Sequence, residues 1–266
     1  MPTDFNCEDI MKNRIFSTDS SKAIKASAFG YLNAIHYMAP ADVAGVGNLC
    51  PMASAGCKAL CLGLTSGQAG IVKDLDSKTD QGNACRKSRN DKARRFMKDR
   101  TNYMSDVVRS IEAMQRKAKR LGKKLCIRMN GSTDISWEGI KFYYNGKIDS
   151  VYGHFSDVQF VDYTKNHTRF DRKLPANLHL TFSRSEANEA KAISLLQAGV
   201  NVAVVFGKSK KEALPTFWNG FVVINGDEHD LRHLDPKATE GNPGYVIGLS
   251  PKGRKAKKDT SGFVVR

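Results

Sequence analysis

Cys50, Cys57 and Cys61 lie in Asn48-Leu49-Cys50-Pro51-Met52-Ala53-Ser54-Ala55-Gly56-Cys57-Lys58-Ala59-Leu60-Cys61, a C-x6-C-x3-C array inside a run of small residues. Such spacing lets three thiolates reach one centre while backbone N–H groups approach the sulfurs. Cys85, at the mouth of the helical stretch that follows, is available as a fourth ligand. Zinc prefers paired C-x2-4-C knuckles, and only Cys57 and Cys61 fit that habit. An iron–sulfur cluster is larger, accepts looser spacing and takes three or four cysteines. Pro51 and the glycine-rich stretch from Gly63 to Gly70 suit a loop wrapped over a cluster. The expectation is a [4Fe-4S] cluster on Cys50, Cys57, Cys61 and Cys85, with zinc, or plain core cysteines, as alternatives. Cys126 reads as a small buried hydrophobe within a strand, and Cys7 is uninformative.

A second set of residues falls where strands are expected to end. One apolar run exits into Asn130-Gly131-Ser132-Thr133-Asp134, another into Asp162-Tyr163-Thr164-Lys165, and a third into Ser183-Arg184-Ser185-Glu186. A fourth exits into Asn225-Gly226-Asp227-Glu228-His229-Asp230. In parallel α/β folds the loops after the strands converge on one mouth, so these residues can line a cavity. Asp134, Glu186, Asp227 and His229 are the acid/base candidates, and Arg184 can hold a carboxylate or phosphate bidentately. Asn130, Gly131, Asp162 and Ser183 fall on the cofactor side of that mouth. Plain turn and capping chemistry accounts for part of the same pattern, and Asp162 with Lys165 also reads as a surface pair. A second metal on the Asp227–Asp230 run lacks any recognisable ligand spacing.

The elements that must position these groups alternate. Tyr31 to Met38 reads as the first strand, and 86 to 124 as one amphipathic helix or two broken near Thr101-Asn102. Short β-branched and aromatic runs follow at Leu125–Met129, Val158–Tyr163, Leu178–Phe182, Val202–Phe206, Phe221–Ile224 and Tyr245–Leu249, with a helix over Glu186–Leu196. This predicts an α/β fold, a partial or complete (β/α) TIM-like barrel with the cluster loop after its first strand. The expected layout is a polar leader over 1–25 packed on the outside, a barrel-like domain over 26–250 with cluster loop 48–85, and a basic tail over 251–266. Phe263-Val264-Val265 is the part of that tail able to pack back.

With 266 residues, 41% of them hydrophobic, the chain is too apolar for a disordered one. Its formal charge of +15 is concentrated in residues 86–124, with fifteen Lys/Arg against four Asp/Glu, and 252–266, with six against one. Such stretches suit a nucleic-acid partner or, equally, a solvated helix face and tail. No apolar run reaches the length of a membrane span and the N-terminus lacks a signal-peptide layout, so the expected location is cytoplasmic, with no membrane partner. Walker loops, Gly-x-Ser-x-Gly elbows and His-Glu-x-x-His are absent, which disfavours the enzyme classes they mark.

Asn48 through Gly70, with Arg128-Met129-Asn130-Gly131-Ser132-Thr133-Asp134-Ile135-Ser136-Trp137-Glu138, resembles the phage-encoded gene-88-type proteins. His179 to Glu186 and Gly226 to Arg232 extend that resemblance over most of 30–266. It implies a phage protein in the host cytoplasm and assigns no reaction. A more distant resemblance, in the order of its parts, is to radical S-adenosylmethionine enzymes: three cluster cysteines after a first strand, a helix, then a strand ending in a glycine motif. It implies S-adenosylmethionine as a further cofactor, its methionyl amine received at Asn130-Gly131. The cysteine spacing departs from that family's C-x3-C-x2-C, and ligation by Cys85 would fill the iron corner the cofactor needs. Three functions are therefore carried forward. The first is a [4Fe-4S] enzyme acting on a small-molecule or nucleotide substrate. The second is a non-enzymatic cluster protein binding nucleic acid through 86–124 and 252–266. The third is a zinc hydrolase using Cys57, Cys61 and His229.

Overall fold

The computed structural model describes residues 15–266. Its strands are β1 (Phe16–Ser17), β2 (Tyr31–His36), β3 (Lys124–Arg128), β4 (Phe142–Tyr144), β5 (Lys147–Asp149), β6 (Gln159–Thr164), β7 (Leu178–Ser183), β8 (Val202–Val205), β9 (Phe217–Trp218), β10 (Phe221–Asn225) and β11 (Val246–Leu249). The α-helices are α1 (Ser21–Lys25), α2 (Ala55–Ala59), α3 (Leu62–Thr65), α4 (Ala84–Lys98), α5 (Arg100–Arg120), α6 (Val151–His154), α7 (Glu189–Gln197) and α8 (Gly253–Lys257).

Nine strands form one sheet in the order β1-β2-β3-β6-β7-β8-β11-β10-β9. From β2 to β10 every pairing is parallel, and the outermost strands β1 and β9 are antiparallel to their neighbours. The period-2 alternation of side chains divides its two faces. Leu32, Ala34, Leu125, Ile127, Leu178 and Leu180 share a core with Phe96 of α4 and Met104, Val107 and Ile111 of α5. Phe182, Val202 and Val204 continue that face against Ala192, Leu195 and Leu196 of α7. The long helices therefore all cover one face. The opposite face carries Cys126 and Val161 and is covered by Ala26 and by Leu231 from the segment after β10.

One-sided winding is what a barrel requires, but the expected TIM-like closure is not made. Among the described residues β1 and β9 each pair with one strand, leaving the sheet open. The chain also leaves β8 for the far edge, lays down β9 and β10, and only then returns β11 to the gap beside β8. The strict sequential order that closes a (β/α) barrel is broken there.

The helical stretch is two helices, broken at Asp99, two residues before Thr101-Asn102, near which a break was one of the two expectations. Asp99 leaves the helical region (φ −142°, ψ 63°) and its carboxylate accepts from the Asn102 N–H, which caps α5. The leader expected to pack on the outside is drawn partly inside over its described residues, 15–25. Ile15 and Phe16 are 1% and 2% exposed and lie in the main core, because β1 adds an edge to β2 that is too short to show a period. Residues 1–14, Cys7 among them, fall outside the described residues. The basic C-terminal stretch is anchored, as Phe263-Val264-Val265 allowed. Val265 donates to Val205 O (2.8 Å), Gly207 donates to Val265 O (2.7 Å), and Val264 is buried.

Candidate functional site at the strand exits

The loop from Ala39 to Asn83 folds back over the C-terminal ends of β2, β3 and β7. The turn after β3 holds both this loop and the end of β2. Asp134 N–H donates to Leu49 O (2.9 Å), and Ser132 Oγ donates to Met38 O (2.6 Å). Gly131 N–H donates to His36 O (2.8 Å), and a Cβ on Gly131 would lie 2.5 Å from that oxygen. The expected glycine of a cofactor motif is thus explained by two backbones in contact. Arg86 is buried at the head of α4 and gathers four carbonyls, Leu64, Ala69, Ser77 and Thr79, at 2.7–2.9 Å. That guanidinium organises the part of the loop that carries α3.

Cys50 is buried, its sulfur accepting from the Ala41 N–H (3.3 Å) and standing 3.7 Å from Ser132 O. Burial pushes its thiol up to about 12, and the charges of Cys61, Asp134 and Cys57 push in the same direction. Cys61 is raised to about 11, first by burial and then by Cys57, while Lys165 and Arg89 oppose the rise. Cys57 and Cys61 thus bear electrostatically on Cys50, and Lys165 and Arg89 on Cys61. A Cβ on Gly63 would lie 3.4 Å from Cys61 Sγ and 2.7 Å from Ser132 Cβ, so α3 presses directly on the turn after β3. Cys85 sits in the first turn of α4. As they stand, no three His, Cys, Asp or Glu side chains among the described residues form a group tight enough for a metal ion.

The strand-exit candidates separate into two kinds. Several are consumed by the fold. Asn130 Oδ1 accepts from Thr133 Oγ1, Ile135 N and Trp137 Nε1, while its amide donates to Asp162 and Ile135 O. Asp162 is no surface partner of Lys165. It is 1% exposed, accepts from Asn130 N and Nδ2, and burial lifts its carboxyl to about 7 despite the Arg128 guanidinium at 3.9 Å. Arg184 binds Glu189 and the carbonyls of Gly262 and Phe263, which leaves it no free edge for a substrate. Glu186 accepts from Gly56 N (2.7 Å) and Ser54 Oγ (3.0 Å) and so pins α2, with Cys57, to the exit of β7.

The Asp227–Asp230 run resolves its own repulsion by diverging. Asp227 accepts from Ser250 N and pairs with Lys252 (2.9 Å). Asp230 takes Arg128 (3.1 Å) and Tyr163 Oη (3.0 Å). His229 packs edge-on to Phe29 with Arg232 against its Nδ1, and burial lowers its basicity. These contacts place His229 in a different group from the cysteines and leave the expected zinc triad with Cys57 and Cys61 unassembled.

Asp134 bears electrostatically on Cys50, and Lys165 and Arg89, which strand-exit reasoning passed over as ligand contacts, on Cys61. Lys165 Nζ donates to Ser183 Oγ (3.0 Å) and lies over the Phe263 ring. Arg89 donates to Gly63 O and lies 4.8 Å from the Tyr37 ring centre. Asp134 accepts from Thr164 Oγ1 and Lys165 N. The basic helices spend much of their charge internally, with Lys87 and Arg94 on Asp91, and Arg95 and Arg109 on Asp106. No helix among the described residues is long and apolar enough to cross a membrane.

An α/β chain with a cysteine loop folded over the exits of a mostly parallel sheet is the class defined by these features. The family model for Gene product 88 matches residues 13–266, so the chain belongs to that phage gene-88-type family. No curated protein and no solved structure matches it.

Proposed function

We propose that this protein is an iron–sulfur enzyme whose Cys50, Cys57 and Cys61 hold a cluster at the exit of the parallel sheet. The observation that supports this reading is that the C-x6-C-x3-C segment is held over the sheet's exit, by Glu186 on Gly56 N and by Gly63 against Ser132. The donor set suits the group. Thiolates are soft ligands, Arg89 and Lys165 supply charge to offset them, and rotation about χ1 moves each sulfur without moving the backbone. Three-cysteine ligation leaves one iron open to bind a substrate or S-adenosylmethionine and to supply Lewis-acid or redox chemistry.

The chain's own residues would do the rest. Glu186 and Ser54 fix α2, Arg86 fixes the segment that carries α3, and Ser132 presses on Gly63, so the cysteine positions are set from three directions. Ser183 and Asp134 stand at the strand exits, and Asp134 pairs with Arg169 (3.8 Å) while accepting from Thr164 Oγ1 and Lys165 N. The test is anaerobic reconstitution of single variants. Cys50→Ser, Cys57→Ser and Cys61→Ser are each expected to lose the visible cluster chromophore, and Cys85→Ser to keep it. A chromophore that survives all three, or that needs Cys85, contradicts this ligand set.

Nucleic acid is the second reading, favoured by Arg116, Lys119 and Arg120, exposed at the end of α5 with no ion pair among the described residues. Its test is retention of DNA or RNA that falls steeply with salt and is weakened by reversing those three charges.

A further inference from the structure

Two basic segments, distant in the chain, are joined by one side chain. Arg266 Cγ would lie 3.0 Å from a Cβ on Gly207, just past β8, while its Nη2 donates to Lys257 O (2.9 Å) and its Nε to Asp259 O (3.2 Å). The backbone bonds between Val265, Val205 and Gly207 hold the two segments side by side. The stretch that opens with Gly207-Lys208 and the end of α8 at Lys257-Lys258 are thus one arginine side chain apart. Lys208, Lys210, Lys211, Arg254, Lys257 and Lys258 are exposed, and none has a carboxylate partner among the described residues. Their neighbours differ, since Lys252 pairs with Asp227 and Lys255 with Asp76. The acids of the same segments are engaged within the chain. Glu212 accepts from Ser209 N (2.8 Å), and buried Asp259 accepts from Ser261 N, Ser261 Oγ and Val264 N. Like charges gathered in this way repel one another and form a footprint for phosphates. The rim they make adjoins the cysteine loop. A Cβ on Gly56, beside Cys57, would lie 2.6 Å from Ser261 Oγ, and one on Gly253 would lie 3.0 Å from Thr65 O of α3.

We infer that this rim docks the sugar–phosphate backbone of a nucleic acid and lays it beside α2 and Cys57. Exposed ammonium groups on flexible stems suit phosphates rather than base edges, so the binding is sequence-tolerant. The surface is distinct from Arg116, Lys119 and Arg120. Those residues end α5, which leads into the start of β3, whereas the rim lies past the exit of β8, at the other end of the parallel sheet. The inference rests on the cluster reading for the chemistry that follows docking and deepens it by naming a substrate class, but the docking itself is measured without the cluster.

The experiment is fluorescence anisotropy of a labelled DNA duplex, its single strand and the matching RNA strand, each titrated with the full chain as purified over a series of salt concentrations. Saturable binding of at least one of the three is expected, with an affinity that falls steeply as salt rises. Changing Lys208, Lys211 and Lys257 together to Glu should weaken it about tenfold or more and flatten the salt dependence by about one counterion per lysine lost. Arg at the same three positions keeps the charge and is expected to keep the binding. If the Glu variant fails to fold, Gln at those positions removes charge alone and should show the same flattening. Equal affinity in wild type and the Gln variant, no binding of any of the three probes, or a loss confined to reversal of Arg116, Lys119 and Arg120 overturns the inference. Iron and sulfide loading of the same preparations is read separately. A chain that loads iron but ignores all three probes sinks this inference alone, and one that binds through the rim but never takes iron sinks the cluster reading alone.

Discussion

Glu186, at the exit of β7, accepts from Gly56 N–H at 2.7 Å and Ser54 Oγ at 3.0 Å, residues more than 125 positions earlier in the chain. A carboxylate placed where acid/base catalysis was expected is instead the clamp that holds Cys57 over the sheet. Removing it strands a backbone donor, so Glu186→Ala should lower stability by about 1–3 kcal/mol, with Glu186→Gln nearer 1. Urea midpoints check this. A midpoint for Glu186→Ala equal to that of wild type contradicts the clamp. Gly56→Ala should be at least as harmful, because its Cβ would lie 2.6 Å from Ser261 Oγ and 2.8 Å from Glu186 Oε2.

Arg184 ties the C-terminal stretch to the sheet through two carbonyls and Glu189. In Arg184→Ala, amide hydrogen exchange at 262–266 should accelerate by at least about tenfold, with β2 and β3 unaffected. Unchanged exchange in that stretch would show that the β8 contact of Val265 suffices by itself.

Asn130 satisfies five hydrogen bonds with one side chain, to Asp162, Thr133, Trp137 and both backbone groups of Ile135. Asn130→Ala should cost about 3–5 kcal/mol, since buried partners lose their only side-chain counterpart. Thermal unfolding measures it, and a loss below about 1 kcal/mol would mean that the hub relaxes onto other partners.

Two buried groups pull stability in opposite directions as pH changes. His36, bonded to Met129 O and Tyr103 Oη, is lowered from 6.5 to about 3, first by burial and then by Lys92. The stability it contributes is full above pH 6.5 and is lost as pH falls from there toward 3. Asp162 is raised from 3.8 to about 7 by burial, so its contribution is full below 3.8 and is lost as pH rises through 7. Asp162→Asn removes the opposing group, and its urea midpoint should fall more steeply between pH 7 and 4.5 than that of wild type. Parallel pH profiles for the two chains would contradict the assignment.

The alternation of strands and helices was legible because apolar runs and 3.6-residue periods are local. Strand ends came within about two residues for β3, β6, β7, β8, β10 and β11 for that reason. The swap of β10 and β11 was not legible, since order within a sheet is a long-range pairing choice that no single segment records. At the mouth, residue type announced polarity but not direction. Arg184 and Asp162 sit where the pattern placed them, and their charges turn inward to Glu189 and Asn130. Lys165 was visible as a strand-exit cation. That its Nζ turns to Ser183 Oγ, 18 residues further on, needed the fold.

Whether Cys50, Cys57 and Cys61 hold iron and sulfide without Cys85 is read from iron and acid-labile sulfide per chain, with EPR, on anaerobically purified wild type and Cys85→Ala. About four of each are expected in both proteins, with the same reduced-cluster signal. Stoichiometric zinc in place of iron, or a cluster that disappears in Cys85→Ala, would contradict that ligation.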